Sequence, residues 1–267
     1  MAQASLEPVL YEAKDGVALL TLHRPERLNA WTRALSKRYF DLLEQADSDP
    51  DVRAIVVTGA GRGFTAGADM DVLQGSAEAV AIDPRPQTFP LTIRKPVIAA
   101  INGACAGIGF VLALTCDVRF AAAGAKFTTA FVRRGLVAEH GCAWLLPRLV
   151  GHGIALDLLL SGRVFLAEEA LGMGLVSRVH APEALLPETL AYARELATHC
   201  SPAAMAEVKA QVYAAYAEGL DDSVSDANRR MLASFSRPDF REGVQSFLAK
   251  RPPRFEPLEA KPGRSGA

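Results

Sequence analysis

Two glycine-bearing turns, about 40 residues apart, constrain this chain more than any other feature. One reads Gly63-Phe64-Thr65-Ala66-Gly67-Ala68-Asp69, the other Asn102-Gly103-Ala104-Cys105-Ala106-Gly107-Ile108-Gly109. Each follows a buried-strand pattern, Ala54-Ile55-Val56-Val57 before the first and Val97-Ile98-Ala99-Ala100-Ile101 before the second. Each also precedes a helix-like pattern, so the chain reads as strand, turn and helix in succession, an α/β arrangement. Two such turns can aim two backbone N–H groups at one oxygen. In a dry site each such donor is worth roughly 3 kcal/mol to a developing oxyanion. The pair therefore points to an enzyme acting on a carbonyl.

The chain has 267 residues, enough for a large buried core in one domain or in one domain with a small appendage. A net charge of −1 gives no basic field to hold nucleic acid, and no nucleic-acid partner is expected. Local basic groups at Lys95, Arg133, Arg134, Lys250 and Arg251 remain candidates for a phosphorylated ligand. Cys105, Cys116, Cys142 and Cys200 fit no zinc spacing, and no metal site is expected. There is no basic amino-terminal stretch leading into an apolar run, and the longest apolar runs are too short to cross a bilayer. The default expectation is a reducing, cytoplasmic setting without membrane attachment.

Residues 9–12 and 17–22 read as strands joined at Asp15-Gly16, a hairpin signal. Thr32 can cap a helix running to about Ala46. A helix is expected from about Met70, and residues 74–90, with three prolines, read as a mobile loop or broken helix near a site. A nearly all-apolar helix follows from Ile108 to Cys116, and short strands lie at 117–121 and 126–128. Beyond residue 150 helical patterns dominate, at 151–160, 166–172, 183–199, 202–217, 221–235 and 238–249. The end of the tail that starts at Pro252 is expected to be disordered. The break suggests residues 1–200 as an α/β core carrying the site and 201–267 as a helical carboxy-terminal region.

An ordered set of segments resembles the crotonase superfamily, the enoyl-CoA hydratase/isomerase family. They are His23-Arg24-Pro25-Glu26-Arg27-Leu28-Asn29-Ala30, the Phe64–Asp69 turn, Lys95-Pro96-Val97-Ile98-Ala99-Ala100-Ile101-Asn102-Gly103, Cys116-Asp117 and Pro147-Arg148-Leu149-Val150-Gly151, with residues 167–174 and 241–253. Together they cover most of the chain. The resemblance implies a crotonase-like spiral of ββα units, a helical carboxy-terminal region used in trimerisation (a homotrimer or a dimer of trimers), and a coenzyme A thioester as substrate. It implies no separate cofactor, coenzyme A being part of the substrate. It places the two thioester-holding N–H groups at Ala68 and Ile108. Gly67 and Gly107 then let the backbone approach the ligand. The Ile108 side chain, where the family often has glycine, narrows the pocket.

By the same resemblance, the two glutamates that activate water in the family's hydratases fall on Val111 and Phe131, neither of which can accept a proton. A carboxylate stands elsewhere: in Gly135-Leu136-Val137-Ala138-Glu139-His140-Gly141, Glu139 aligns with an acid that several family isomerases use. A single base suits an isomerase, which takes a proton from C2 and returns it at C4. Pattern alone favours reading Glu139 as an acid at a helix amino terminus, and the resemblance reverses that order. His140 is a candidate base or partner for Glu139, more simply a neighbour of the site. Asp69 reads as the cap of the following helix. Phe131 and Trp144 read as pocket wall or core. Arg27 can meet a coenzyme A phosphate, although family members often carry the basic residue one position earlier, where Glu26 stands here. Ala30 and Ala66 are set beside the coenzyme A by resemblance, and Lys250 resembles a carboxy-terminal basic contact, sometimes supplied by a neighbouring subunit.

Three functions compete on these residues. The leading one is a Δ3,Δ2-enoyl-CoA isomerase with Glu139 as base. The second is a hydratase, hydrolase or lyase of the same family, with water held by Glu139 and His140. The third is an acyl-CoA binder without catalysis, which the residues at Val111 and Phe131 would permit.

Overall fold

The computed structural model describes residues 7–69 and 83–259. The chain opens with a hairpin: β1 (Val9–Lys14) runs antiparallel to β2 (Val17–Leu22), closed by Asp15 and Gly16, both at positive φ. That geometry suits a two-residue turn matched to strand twist. Helix α1 (Arg33–Ser48) follows, with Thr32 Oγ1 accepting from the Leu35 N–H as expected of the cap.

The next strands come in pairs. β3 (Ala54–Gly59), β5 (Val97–Ile101) and β7 (Val118–Ala122) enter one sheet, while β4 (Gly63–Thr65), β6 (Ala104–Ala106) and β8 (Lys126–Thr128) enter another. In the second repeat the pair is followed by helix α2 (Ile108–Leu114), every residue of which except Ile108 is buried. This is the ββα spiral expected from the resemblance. The large sheet is ordered β1-β2-β3-β5-β7-β10, with β10 at Arg178–His180, and is parallel from β2 onward. The small one is ordered β4-β6-β8-β9, with β9 at Phe165–Leu166. β3 and β5 are buried along their whole length, as parallel interior strands covered on both faces must be.

Several elements were not legible in the pattern. Helix α3 (Cys142–Val150) contains Pro147 and is bracketed by Gly141 and Gly151 at positive φ, all of which read as breakers. After α4 (His152–Ser161), the two-residue strand β9 (Phe165–Leu166) takes up the start of the helix expected at 166, so α5 begins at Ala167 and ends at Gly172. β10 (Arg178–His180) adds a parallel edge to β7. Helix α6 (Pro182–His199) packs across β2, β3, β5, β7 and β10.

The chain ends in α7 (Pro202–Ala214), α8 (Leu220–Ser234) and α9 (Pro238–Leu248). Asp117 ties α7 to the core: it accepts from the Val97 N–H at 2.8 Å, from Lys209 Nζ at 2.7 Å and from the Tyr213 hydroxyl at 3.1 Å. The helix expected from about Met70, residues 74–82 of the irregular stretch and the last eight residues of the tail lie outside the described residues.

Candidate active site

The two glycine turns meet. A Cβ built on Gly107 would stand 4.0 Å from the Gly67 Cα, and both glycines have positive φ, +100° and +53° respectively for Gly67 and Gly107. β4 and β6 bring them together by pairing in parallel. A second pairing orients the first turn. Residues 28–31 run beside 66–69, with Ala66 N donating to Leu28 O, Trp31 N to Gly67 O, and Asp69 N to Trp31 O. In a regular strand, donors to one neighbour lie two residues apart. Here they are Ala66 and Asp69, three apart, because the positive φ of Gly67 interrupts the alternation. Ala68 is the parallel bridge partner of Trp31 through the bonds of its neighbours Gly67 and Asp69, and its own N–H takes no part in them. Among the described residues neither the Ala68 nor the Ile108 N–H reaches a hydrogen-bond acceptor.

The strap at 24–31 is itself fixed from within. The fully buried Asn29 side chain donates to Ala60 O and Gly63 O, and accepts from the Arg24 N–H. Arg24 Nη1 donates to Ala30 O at 2.7 Å and to Asp69 Oδ2 at 2.9 Å. Arg24 and Asn29 fell within a recognised segment, yet nothing in the pattern gave them these roles. Their partners lie up to 45 residues away.

Ala68 and Ile108 open onto a cavity of about 620 Å³. Arg27, Ala30, Ala66, Gly67, Asp69, Gly107, Phe131, Glu139 and His140 also line it, so eleven of the thirteen residues singled out from the sequence are brought together. Trp144 and Lys250 are not among the lining residues. Trp144 lies edge-on to Tyr216 at 5.2 Å with the Arg148 guanidinium 4.0 Å above its ring, and Lys250 sits in the turn that ends α9. Of the other basic candidates only Arg134 lines the cavity, joined there by the exposed Arg33, which pattern reading passed over. Lys95 is buried and donates to Ala46 O and Asp49 O. Desolvation draws its amine down to about 8. It caps the end of α1 and cannot meet a ligand.

Val111 is wholly buried in the core away from the cavity, and Phe131 forms apolar wall. Three carboxylates line the cavity: Asp69, Asp83 and Glu139. Asp69 is held by Arg24. Asp83 is held by Arg85, whose hydrogen bonds keep that carboxyl below the usual range. Glu139 has no Arg or Lys partner among the described residues; His140 Nε2 lies 3.8 Å from its Oε2. Burial lowers the His140 imidazole below its ordinary value, against the pull of the Glu139 charge. His140 takes a left-handed φ of 53° next to Gly141 at 80°, and the Cys142 N–H bonds to Glu139 O to start α3. No described helix amide takes the Glu139 side chain as its cap.

The family model described as enoyl-CoA hydratase/isomerase matches residues 12–257. The chain belongs to the enoyl-CoA hydratase/isomerase family. Among curated members, 1,2-epoxyphenylacetyl-CoA isomerase of Escherichia coli K12 is 37% identical over 260 residues, which is 94% of this chain and 98% of that one. Among solved structures of the family, an enoyl-CoA hydratase from Mycobacterium marinum is 53% identical, with a TM-score of 0.69 over 78% of this chain and 98% of its own. A probable enoyl-CoA hydratase/isomerase from Mycobacterium abscessus superposes with a TM-score of 0.86 at 32% identity, over 94% and 99% of the two chains. This enoyl-CoA hydratase/isomerase family enzyme therefore has the crotonase fold. Among its described residues no group of His, Cys, Asp and Glu could hold a metal, and no helix is long and apolar enough to cross a membrane.

Proposed function

We propose that the protein is an enoyl-CoA isomerase that moves a double bond from the 3 to the 2 position of an acyl-CoA thioester, with Glu139 as its base. One observation carries this reading: of the three carboxylates on the cavity wall, only Glu139 is not engaged by an arginine. An unpaired carboxylate is free to take a proton. Glu139 removes it from C2, the electrons shift toward the thioester oxygen, and the dienolate is reprotonated at C4. The amides of Ala68 and Ile108 hold the oxyanion between the two steps; main-chain donors fixed by turns need little reorganisation. A neutral His140 beside Glu139 leaves the charge of the base in place. Arg27, Arg33 and Arg134 offer guanidinium groups to the coenzyme A phosphates. The isomerase name of the Escherichia coli relative favours the same reaction class.

The residues at Val111 and Phe131 argue against water activation by a glutamate pair. The name of the Mycobacterium marinum relative keeps hydration as a second reading, with a water bridging Glu139 and His140. Turnover of 3-hexenoyl-CoA and hydration of crotonyl-CoA, each measured in wild type and Glu139→Gln, separate the two. We expect isomerisation to fall by roughly 10² to 10⁴-fold in the variant while acyl-CoA still binds. Unchanged isomerisation removes Glu139 from the mechanism.

We also propose that residues 201–267 form the region through which a trimer, or a dimer of trimers, assembles. The support is apolar surface on the carboxy-terminal helices, where Phe247 is 83% exposed and Leu232 and Leu248 are also open. Light scattering of the purified protein gives the stoichiometry, and a monomer at micromolar concentration excludes it.

A further inference from the structure

Three chain segments stand side by side along the cavity. The small sheet runs β4-β6-β8, so the residues that follow these strands, 66–69, 107–108 and 129–131, are neighbours in that order. Gly107 N donates to Thr128 O, and a Cβ on Gly107 would stand 4.0 Å both from Gly67 Cα and from Thr129 O. Ile108 therefore takes the middle place. On one side lies the turn of Ala66 and Ala68, with the strap that carries Arg27 and Ala30. On the other lies the segment of Ala130 and Phe131, which runs on to Glu139. All of these line the cavity.

Ile108 begins α2, and it is the one residue of that helix left half-buried; it packs against the core and lines the cavity. In a helix the Cα–Cβ bond tilts toward the helix start, the direction in which the first amides also point. The side chain thus leans toward the same space as the N–H. An oxygen accepting from that N–H lies about 2.9 Å from the nitrogen. C2 of the acyl group is two bonds from the oxygen, and the Ile108 Cβ is two bonds from the nitrogen. Proton removal by Glu139 requires C2 to face the 129–139 segment, which is the Ile108 side of the oxygen and not the Ala68 side. The branched side chain therefore borders C2. Helical isoleucine is held mostly to one χ1 rotamer, so it cannot swing aside. Beside the other donor, Ala68 offers only a methyl group.

We propose that the Ile108 side chain is a specificity-determining group that admits acyl chains unbranched at C2 and turns away 2-methyl acyl-CoA thioesters. The proposal rests on the acyl-CoA reading above and names the substrate class of the same site. One methyl group forced against a rigid wall changes affinity by about tenfold or more. Every residue except proline supplies the same main-chain donor, so the residue type at 108 is free to set selectivity.

The test is calorimetric titration of the wild-type protein with hexanoyl-CoA and with racemic 2-methylhexanoyl-CoA, neither of which carries a double bond to move. Wild type should bind the straight chain about tenfold more tightly or better. Ile108→Ala should largely remove the difference, whereas Ile108→Val, which keeps the branch at Cβ, should retain most of it. Equal affinities or the reverse preference in wild type, or a preference that Ile108→Ala keeps, overturn the proposal; the wild-type comparison requires no variant to fold. Turnover of 3-hexenoyl-CoA is scored alongside. Turnover without preference defeats the selectivity and leaves the isomerase standing, whereas preference without turnover upholds the selectivity and defeats the isomerase. Failure of both thioesters to bind defeats the acyl-CoA reading on which the two rest.

Discussion

A Cβ added to Gly67 would lie 3.0 Å from the carbonyl oxygen of Ala106, so Gly67 and Ala106 touch backbone to backbone. Nothing larger than hydrogen fits between the two turns that carry Ala68 and Ile108. Gly67 also holds a φ of +100°, which an alanine adopts only under strain.

Gly67→Ala is therefore expected to cost about 1–3 kcal/mol of stability and to reduce kcat roughly hundredfold, since a displacement on the order of 1 Å in a donor has that effect. Thermal melts and steady-state kinetics on 3-hexenoyl-CoA measure the two losses. A variant that melts lower yet keeps wild-type kcat would show that the spacing of the two amides does not matter.

The ion pair between Arg24 and Asp69 joins the strap at 24–31 to the residue after Ala68, and the Asp69 carboxylate is almost completely enclosed. Asp69→Asn keeps the shape and removes the charge. We expect it to destabilise the fold by about 1–3 kcal/mol and to lower kcat more than it raises KM. A double-mutant cycle with Arg24→Gln should show coupling of more than about 0.5 kcal/mol. Strict additivity would mean that the pair is incidental.

His140 gives a pH dependence whose sign follows from its burial. The folded chain holds the imidazole below its ordinary value of 6.5, and Glu139 only partly offsets this. As pH falls through that value, the unfolded chain takes up the proton before the folded one does. The contribution of this site to stability is thus fully present above 6.5 and is lost on acidification toward the lowered folded value. Asparagine tolerates the left-handed φ of this position, so His140→Asn is the suitable comparison. Between about pH 7 and pH 5.5 the wild-type Tm should fall more steeply than that of the variant. Parallel curves would contradict the lowered value.

The cavity wall shows how far pattern reading reaches. The two glycine turns were legible because each follows a β-branched run and precedes a helix-like pattern, whereas the particular amides, Ala68 and Ile108, were named through resemblance. Glu139 and His140 were legible only through resemblance, since a Glu before a helix has an ordinary capping explanation. Ser36 and Gln87, which also line the cavity, carried no signal. A serine within the first turns of an amphipathic helix and a glutamine in a proline-rich stretch look like solvated surface. Lys95 misled for the same reason: its charge suggested a ligand, yet the carbonyls of Ala46 and Asp49 enclose it.

From the sequence alone came what neighbouring residues decide: the Asp15-Gly16 hairpin, the Thr32 cap, the apolar strands and the two glycine turns. Periodicity and turn chemistry act over a few residues, so they are written into the chain. Folding in three dimensions decided which groups share a cavity, which carboxylates arginines hold and which one is left open. Those outcomes depend on contacts such as Arg24 with Asp69 and Arg85 with Asp41. Partners so far apart along the chain meet only when the sheets bring them together, and burial then determines whether a charged group is silenced or left exposed to chemistry.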